Sequence, residues 1–192
     1  GSSWSEQQEL VASEFAPNDR CGNAVAVSGG TVLVGDSYVG SGAAYFFGFD
    51  GTNWPELQRV LPTDQDARDD EFGSAVALDG ETAVVGAPQD DLAGKDGGAA
   101  YVFVHQAGAW VLQQKLVGAD TAAGDAFGSA VSVSGDTLVI GAKLDTTAAG
   151  YSAGSAYVFT RNGGTWSQQQ KLTAAVAAAT ADPVVAATGH GS

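Results

Sequence analysis

The chain of 192 residues carries 22 acidic against 8 basic side chains, a formal net charge of −14, so nucleic acid and anionic membrane surfaces are excluded as partners by repulsion over most of the surface. No apolar run approaches the ~20 residues of a membrane-spanning helix, and the single cysteine, Cys21, excludes an internal disulfide. With 27 glycines, no methionine and an apolar fraction supplied mainly by alanine and valine, the composition predicts an all-β fold of short strands and tight turns.

In chain order, Gly1-Ser2-Ser3 does not read as a targeting signal. Trp4 to Leu10 reads as a strand with nothing before it to pair with, an outer strand awaiting a blade. A polar loop around Pro17-Asn18-Asp19 leads into Ala24 to Val27, whose alternation of valine with small residues suits a tightly packed inner strand. Ser28-Gly29-Gly30 then reverses the chain into Thr31 to Gly35, since so brief a turn between two apolar runs is a hairpin signal. A loop from Asp36 to Gly42 precedes a third strand, Ala43 to Phe47, and a Gly-containing turn delivers the chain to Trp54.

The pattern then recurs. Phe72-Gly73-Ser74-Ala75-Val76, Val84-Val85-Gly86-Ala87-Pro88 and Gly98-Ala99-Ala100-Tyr101-Val102-Phe103 form one copy; Phe127-Gly128-Ser129, Val139-Ile140-Gly141-Ala142 and Gly154-Ser155-Ala156-Tyr157-Val158-Phe159 form another. The tryptophans Trp4, Trp54, Trp110 and Trp166 mark the phase at intervals of 50, 56 and 56 residues. A period near fifty with four short strands per unit predicts a β-propeller of four-stranded antiparallel blades, in which each unit buries its faces only against its neighbours. An immunoglobulin-like sandwich is the alternative, but it does not require its strands to recur as near-copies. The units run over about 4–53, 54–109 and 110–165, with a degenerate or partial fourth over 166–187, all in one domain over 4–187. Ala174 to Ala179 and Asp182 to Ala186 echo Ser129 to Ile140, against the alternative of an alanine-rich disordered tail.

Phe72-Gly73, Val85-Gly86-Ala87-Pro88 and Ala100-Tyr101-Val102-Phe103 resemble the FG-GAP repeat found in integrin alpha-chain propellers and in bacterial secreted or surface proteins. Units that end in Gln113-Gln114-Lys115-Leu116 and Gln169-Gln170-Lys171-Leu172 resemble the bacterial branch more closely. The resemblance implies an extracellular or cell-surface location and a role in adhesion. It also implies calcium loops between the first two strands, from which this chain departs: Ser28-Gly29-Gly30, Asp79-Gly80-Glu81 and Ser134-Gly135-Asp136 are too short to supply six to eight oxygen ligands. No cofactor is therefore expected.

The acidic residues gather in the second unit, which holds 11 of the 22. If calcium bound anywhere, Asp64, Asp66, Asp69 and Asp70 would be its ligands, but a run of carboxylates is more often a solvated loop. Gly150-Tyr151-Ser152-Ala153-Gly154 matches the Gly-x-Ser-x-Gly pattern of a hydrolase, yet that motif needs a strand before it and a helix after it, and here a strand follows. No enzyme is expected. The tryptophans, one per unit, could line sugar-binding pockets between blades, as in a lectin; packing at the blade edge explains all four without a ligand.

Rigid repeated strands carrying unequal loops predict a binding or adhesion module that recognises a protein or glycan through one rim. The expected contact residues are Tyr38, Asp90, Asp91, Lys95, Asp96, Asp145 and Tyr151. The competing expectation is a structural spacer or self-assembling propeller fragment, with a homodimer formed through open blade edges.

Overall fold

The computed structural model describes residues 3–14, 20–37, 41–63 and 69–175. Among these residues it places twelve strands in three four-stranded antiparallel sheets. The first blade is β1 (Ala24–Ser28), β2 (Thr31–Asp36), β3 (Ala43–Gly48) and β4 (Glu56–Val60). The second is β5 (Ala75–Asp79), β6 (Thr82–Ala87), β7 (Ala99–Gln106) and β8 (Ala109–Leu116). The third is β9 (Phe127–Ser134), β10 (Thr137–Ala142), β11 (Ser155–Asn162) and β12 (Thr165–Thr173). Within each blade the strands lie side by side in chain order, as expected of a propeller blade.

The inner hairpins pair in matching register, Ala24 with Gly35, Ala75 with Gly86 and Ala130 with Gly141. Their connections are two-residue turns whose first residue, Gly29, Gly80 or Gly135, has φ of 56°, 54° or 53°, the left-handed region in which glycine carries no steric cost. Such turns leave no room for a calcium loop, so the family's calcium chemistry does not fit these residues. The third strands end at Gly48, Gln106 and Asn162, the first of them one residue past its expected end at Phe47.

The core lies between blades rather than within them. Leu33, Ala44, Phe46 and Val60 of the first blade pack against Phe72, Val85, Tyr101, Phe103 and Trp110 of the second. Val84, Ala100, Val102 and Leu116 of the second pack in the same way against Phe127, Ile140, Tyr157, Phe159 and Trp166 of the third. Each joint therefore seats the Phe-Gly loop of one blade on the small residues of the one before. A Cβ built on Gly35 would stand 2.0 Å from the Gly73 carbonyl oxygen, and one on Gly86 would stand 2.0 Å from that of Gly128. Only glycine admits so close an approach.

Polar bonds recur at the same joints. Gln58 accepts from the Trp110 N–H at 2.7 Å and donates to the Trp110 carbonyl at 2.8 Å; Gln114 does the same to Trp166, at 2.8 and 3.0 Å. Nearer the inner edge, Ser28 Oγ accepts from Gly80 N–H at 3.0 Å and Asp79 Oδ2 from Gly135 N–H at 2.7 Å.

Trp4 to Leu10, expected to be a strand, forms none. No strand among the described residues pairs with it, and Trp4 is fully exposed. The segment nevertheless stands where the outer strand of a preceding blade would be. Gln8 Oε1 accepts from the Trp54 N–H at 2.9 Å, and Leu10 and Ala12 cover Tyr45 and Phe47. Cys21, in the slot held elsewhere by Phe72 and Phe127, is half-buried in that same cluster. Of the proposed fourth unit over 166–187, residues 166–173 lie in β12 of the third blade, and 176–187 lie outside the described residues.

Candidate functional site on the rim between blades two and three

The loops that join second to third strands open on one rim, and they use the aspartates expected there in two different ways. Asp90 and Asp145, expected as contact residues, are buried instead, at 0% and 3% exposure. Asp90 accepts from the Tyr101 hydroxyl at 2.8 Å and pairs with Lys115 Nζ at 2.5 Å. Asp145 pairs with Lys171 Nζ at 2.6 Å and accepts from Ser155 Oγ at 2.5 Å. Their role is internal, because a buried carboxylate requires a cation and hydrogen bonds within the fold.

The partners follow from strand register. Tyr45 lies opposite Arg59, Tyr101 opposite Lys115 and Tyr157 opposite Lys171, and each cation lies over its ring at 5.0 to 5.8 Å from the centroid. The acids that reach these cations include ones from the segment before the blade: Glu14 pairs with Arg59 at 2.5 Å and Asp120 with Lys171 at 2.7 Å. Burial opposes the charge on Lys171, yet its hydrogen bonds to Asp120 and Asp145 hold its pKa above the usual lysine range. The same bond from Lys171 holds Asp120 below the usual carboxylate range, against a smaller opposing effect of burial. Burial pushes the phenols of Tyr45 and Tyr157 up. A lysine ammonium in the second and third blades, and the Arg59 guanidinium in the first, already pairs with the carboxylates of each cluster, so these clusters hold the fold together rather than a ligand.

The remaining expected residues face outward. Asp96, Lys143, Leu144 and Tyr151, with Glu71 and Gln89, line a hollow of about 420 Å³ between the second and third blades. Asp69, Asp91 and Lys95 line an adjoining one of about 330 Å³ that shares Gln89 and Asp96. Tyr151 is 91% exposed. The rim is stiffened by its own backbone: Asp96 N–H donates to Asp91 Oδ1 at 2.8 Å, and the Lys95 and Asp96 carbonyls accept from Gly124 and Ala126 N–H of the adjoining loop. Asp69, Glu71, Asp96, Ala126 and Ser152 all hold positive φ between 49° and 67°, a cluster of non-glycine strain of the kind found at functional sites.

Gln89, Lys143 and Leu144 were not singled out by the sequence, although each lies within two residues of the end of a second strand bordering an unequal loop; Glu71 belongs to the acidic run before β5. Tyr38, Asp64 and Asp66 lie outside the described residues; Asp69 is exposed and Asp70 buried. Among the described residues no group of three His, Cys, Asp or Glu side chains is arranged to hold a metal ion. Ser152 sits before β11 on this rim, whereas His105 ends β7 at the opposite rim and bonds Glu81 at 2.6 Å, so the two do not meet. Trp110 and Trp166 are buried at the joints, Trp110 stacked on Phe46 at 4.2 Å, which removes them from any sugar pocket. Among the described residues no helix is long and apolar enough to cross a membrane.

The FG-GAP repeat family matches the sequence over residues 4–47, 54–103 and 110–159. No curated protein matches it. Among solved structures, a chain of a europium-containing methanol dehydrogenase is similar with a TM-score of 0.48 and 13% identity, over 80% of this chain and 27% of that one.

Proposed function

The chain belongs to the FG-GAP repeat family, and from that premise we propose that it is a non-enzymatic binding module, part of a larger exported or surface protein, which recognises a protein or glycan through the rim between its second and third blades. The observation that carries this reading is the hollow beneath Tyr151. It combines an exposed aromatic ring with Lys143, Glu71 and Asp96 on a strained, hydrogen-bonded rim. An amphipathic ring beside charged and amide groups suits a sugar face or a peptide side chain.

Glycan-array screening, followed by titration of each sugar bound, tests the reading. Tyr151→Ala and Asp96→Ala are expected to weaken binding by about tenfold each. Saturable binding that neither substitution changes would overturn the assignment of this rim.

A further inference from the structure

The third blade ends the described array with a joint that has everything but its other half. Val139, Val158 and Leu172 stand where Leu33, Phe46 and Val60, and again Val84, Val102 and Leu116, are covered by the next blade; Val139 and Leu172 are 37% and 44% exposed. Gln170, in the position of Gln58 and Gln114, is exposed. Gly141 retains glycine although its φ is not positive and a Cβ there would meet nothing closer than Ala130 Cβ at 3.3 Å. Its counterparts Gly35 and Gly86 need glycine only because a Phe-Gly loop of the next blade sits on them.

The complementary half is at the other end of the same chain. Val25 and Val27 are 65% and 67% exposed on β1, whereas Val76 and Leu78, and Val131 and Val133, pack into the joints in the equivalent positions. Residues 10–14 cover only the outer part of this face, over Tyr45 and Phe47. The segment that leads to them is a near-copy of β12: Trp4-Ser5-Glu6-Gln7-Gln8-Glu9-Leu10 against Trp166-Ser167-Gln168-Gln169-Gln170-Lys171-Leu172. Unlike β12, that copy has no strand ladder to hold it.

We infer that the leading face of the third blade docks onto the first blade of a second copy of this chain, head to tail, with β12 displacing residues 4–14 of that copy. Gln170 then takes the Trp54 backbone from Gln8, Leu172 takes the place of Leu10 over Tyr45, and the Cys21-Gly22 loop seats on Gly141. The contact given up includes the Glu14 to Arg59 pair, whose partners are 64% and 33% exposed and so contribute little. A head-to-tail contact of this kind is heterologous, and repeats either to close a ring or to extend.

Sedimentation velocity on the full chain over a wide concentration range tests the inference. Association is expected to grow with concentration. Leu172→Asp and Val25→Asp are each expected to weaken it by at least about tenfold, through an unpaired charge at the joint. Both side chains are exposed in the single chain, so circular dichroism and melting temperature stay unchanged. Because each variant retains the half that the other lacks, an equimolar mixture of the two regains a dimer that neither forms alone. A chain monomeric at every concentration, association indifferent to Leu172→Asp, or a mixture that stays monomeric would each overturn the inference. If the chain is monomeric and deletion of residues 176–192 then produces association, those residues cover the face instead.

Discussion

The Gln58 side-chain amide closes on the backbone of Trp110, accepting from its N–H at 2.7 Å and donating to its carbonyl at 2.8 Å, across 52 residues of sequence. Because one planar group satisfies both backbone groups, the outer edge of one blade is held in register with the next. Truncation leaves a half-buried N–H and carbonyl without partners. Gln58→Ala is expected to cost about 2 kcal/mol, read by chemical denaturation, and Gln114→Ala a similar amount. An unchanged midpoint in both would show that solvent serves the Trp backbones equally well.

Two equivalent glycines should respond unequally to the same substitution. A methyl on Gly86 meets the Gly128 carbonyl oxygen at 2.0 Å, whereas one on Gly141 finds its nearest neighbour at 3.3 Å. Gly86→Ala should destabilise by about 3 kcal/mol or more, by forcing the blades apart. Gly141→Ala should change the stability of the single chain by less than about 0.5 kcal/mol. Equal losses would mean that glycine is needed here for the strand itself and not for the joint.

Removing Lys115 isolates the fully buried Asp90, to which it is paired at 2.5 Å. Lys115→Met is expected to cost about 3–5 kcal/mol. Adding Asp90→Asn in the same chain should recover part of that loss, since the uncompensated charge is gone. A double variant less stable than Lys115→Met would place the cost in lost packing around Tyr101 instead.

Stability should fall at both ends of the pH scale, for opposite reasons. Asp120 is held below the ordinary carboxylate value by Lys171, so the stability it contributes is complete above about pH 4 and is lost as pH falls further. Tyr157, raised by burial, and Lys171, raised by Asp120 and Asp145 in spite of burial, contribute stability that is complete below about pH 10 and is lost as pH rises beyond it. Melting temperature against pH should therefore show two limbs, and Asp120→Asn should flatten the acid one. An acid limb that survives that substitution unchanged belongs to other carboxylates.

Calcium is expected to leave the melting temperature unchanged. Two-residue hairpins cannot supply its ligands, whereas a native site at 100 times its dissociation constant would add about 2.7 kcal/mol. A rise of several degrees over a chelated control, absent in a chain with Asp64, Asp66, Asp69 and Asp70 all changed to Asn, would place a site in the loop before β5.

The order of strands, the hairpin turns and the phase of the repeat were legible in the sequence, because they rest on short-range effects: alternation along a strand, glycine at positive φ, and recurrence of Phe-Gly and Trp. What the aspartates do was not. Asp90 and Asp91 are neighbours, yet one is buried against Lys115 while the other lies on the rim, since the cation that Asp90 meets is brought to it from β8 by the pairing of Tyr101 with Lys115. The hollow beneath Tyr151 likewise depends on Glu71, Lys143 and Tyr151, which come from two different blades. Trp4 to Leu10 matches Trp166 to Leu172 of β12 at five of seven positions and still forms no strand. A β-strand exists only where a neighbouring chain offers its hydrogen bonds, and that neighbour is decided by tertiary structure, not by the segment itself.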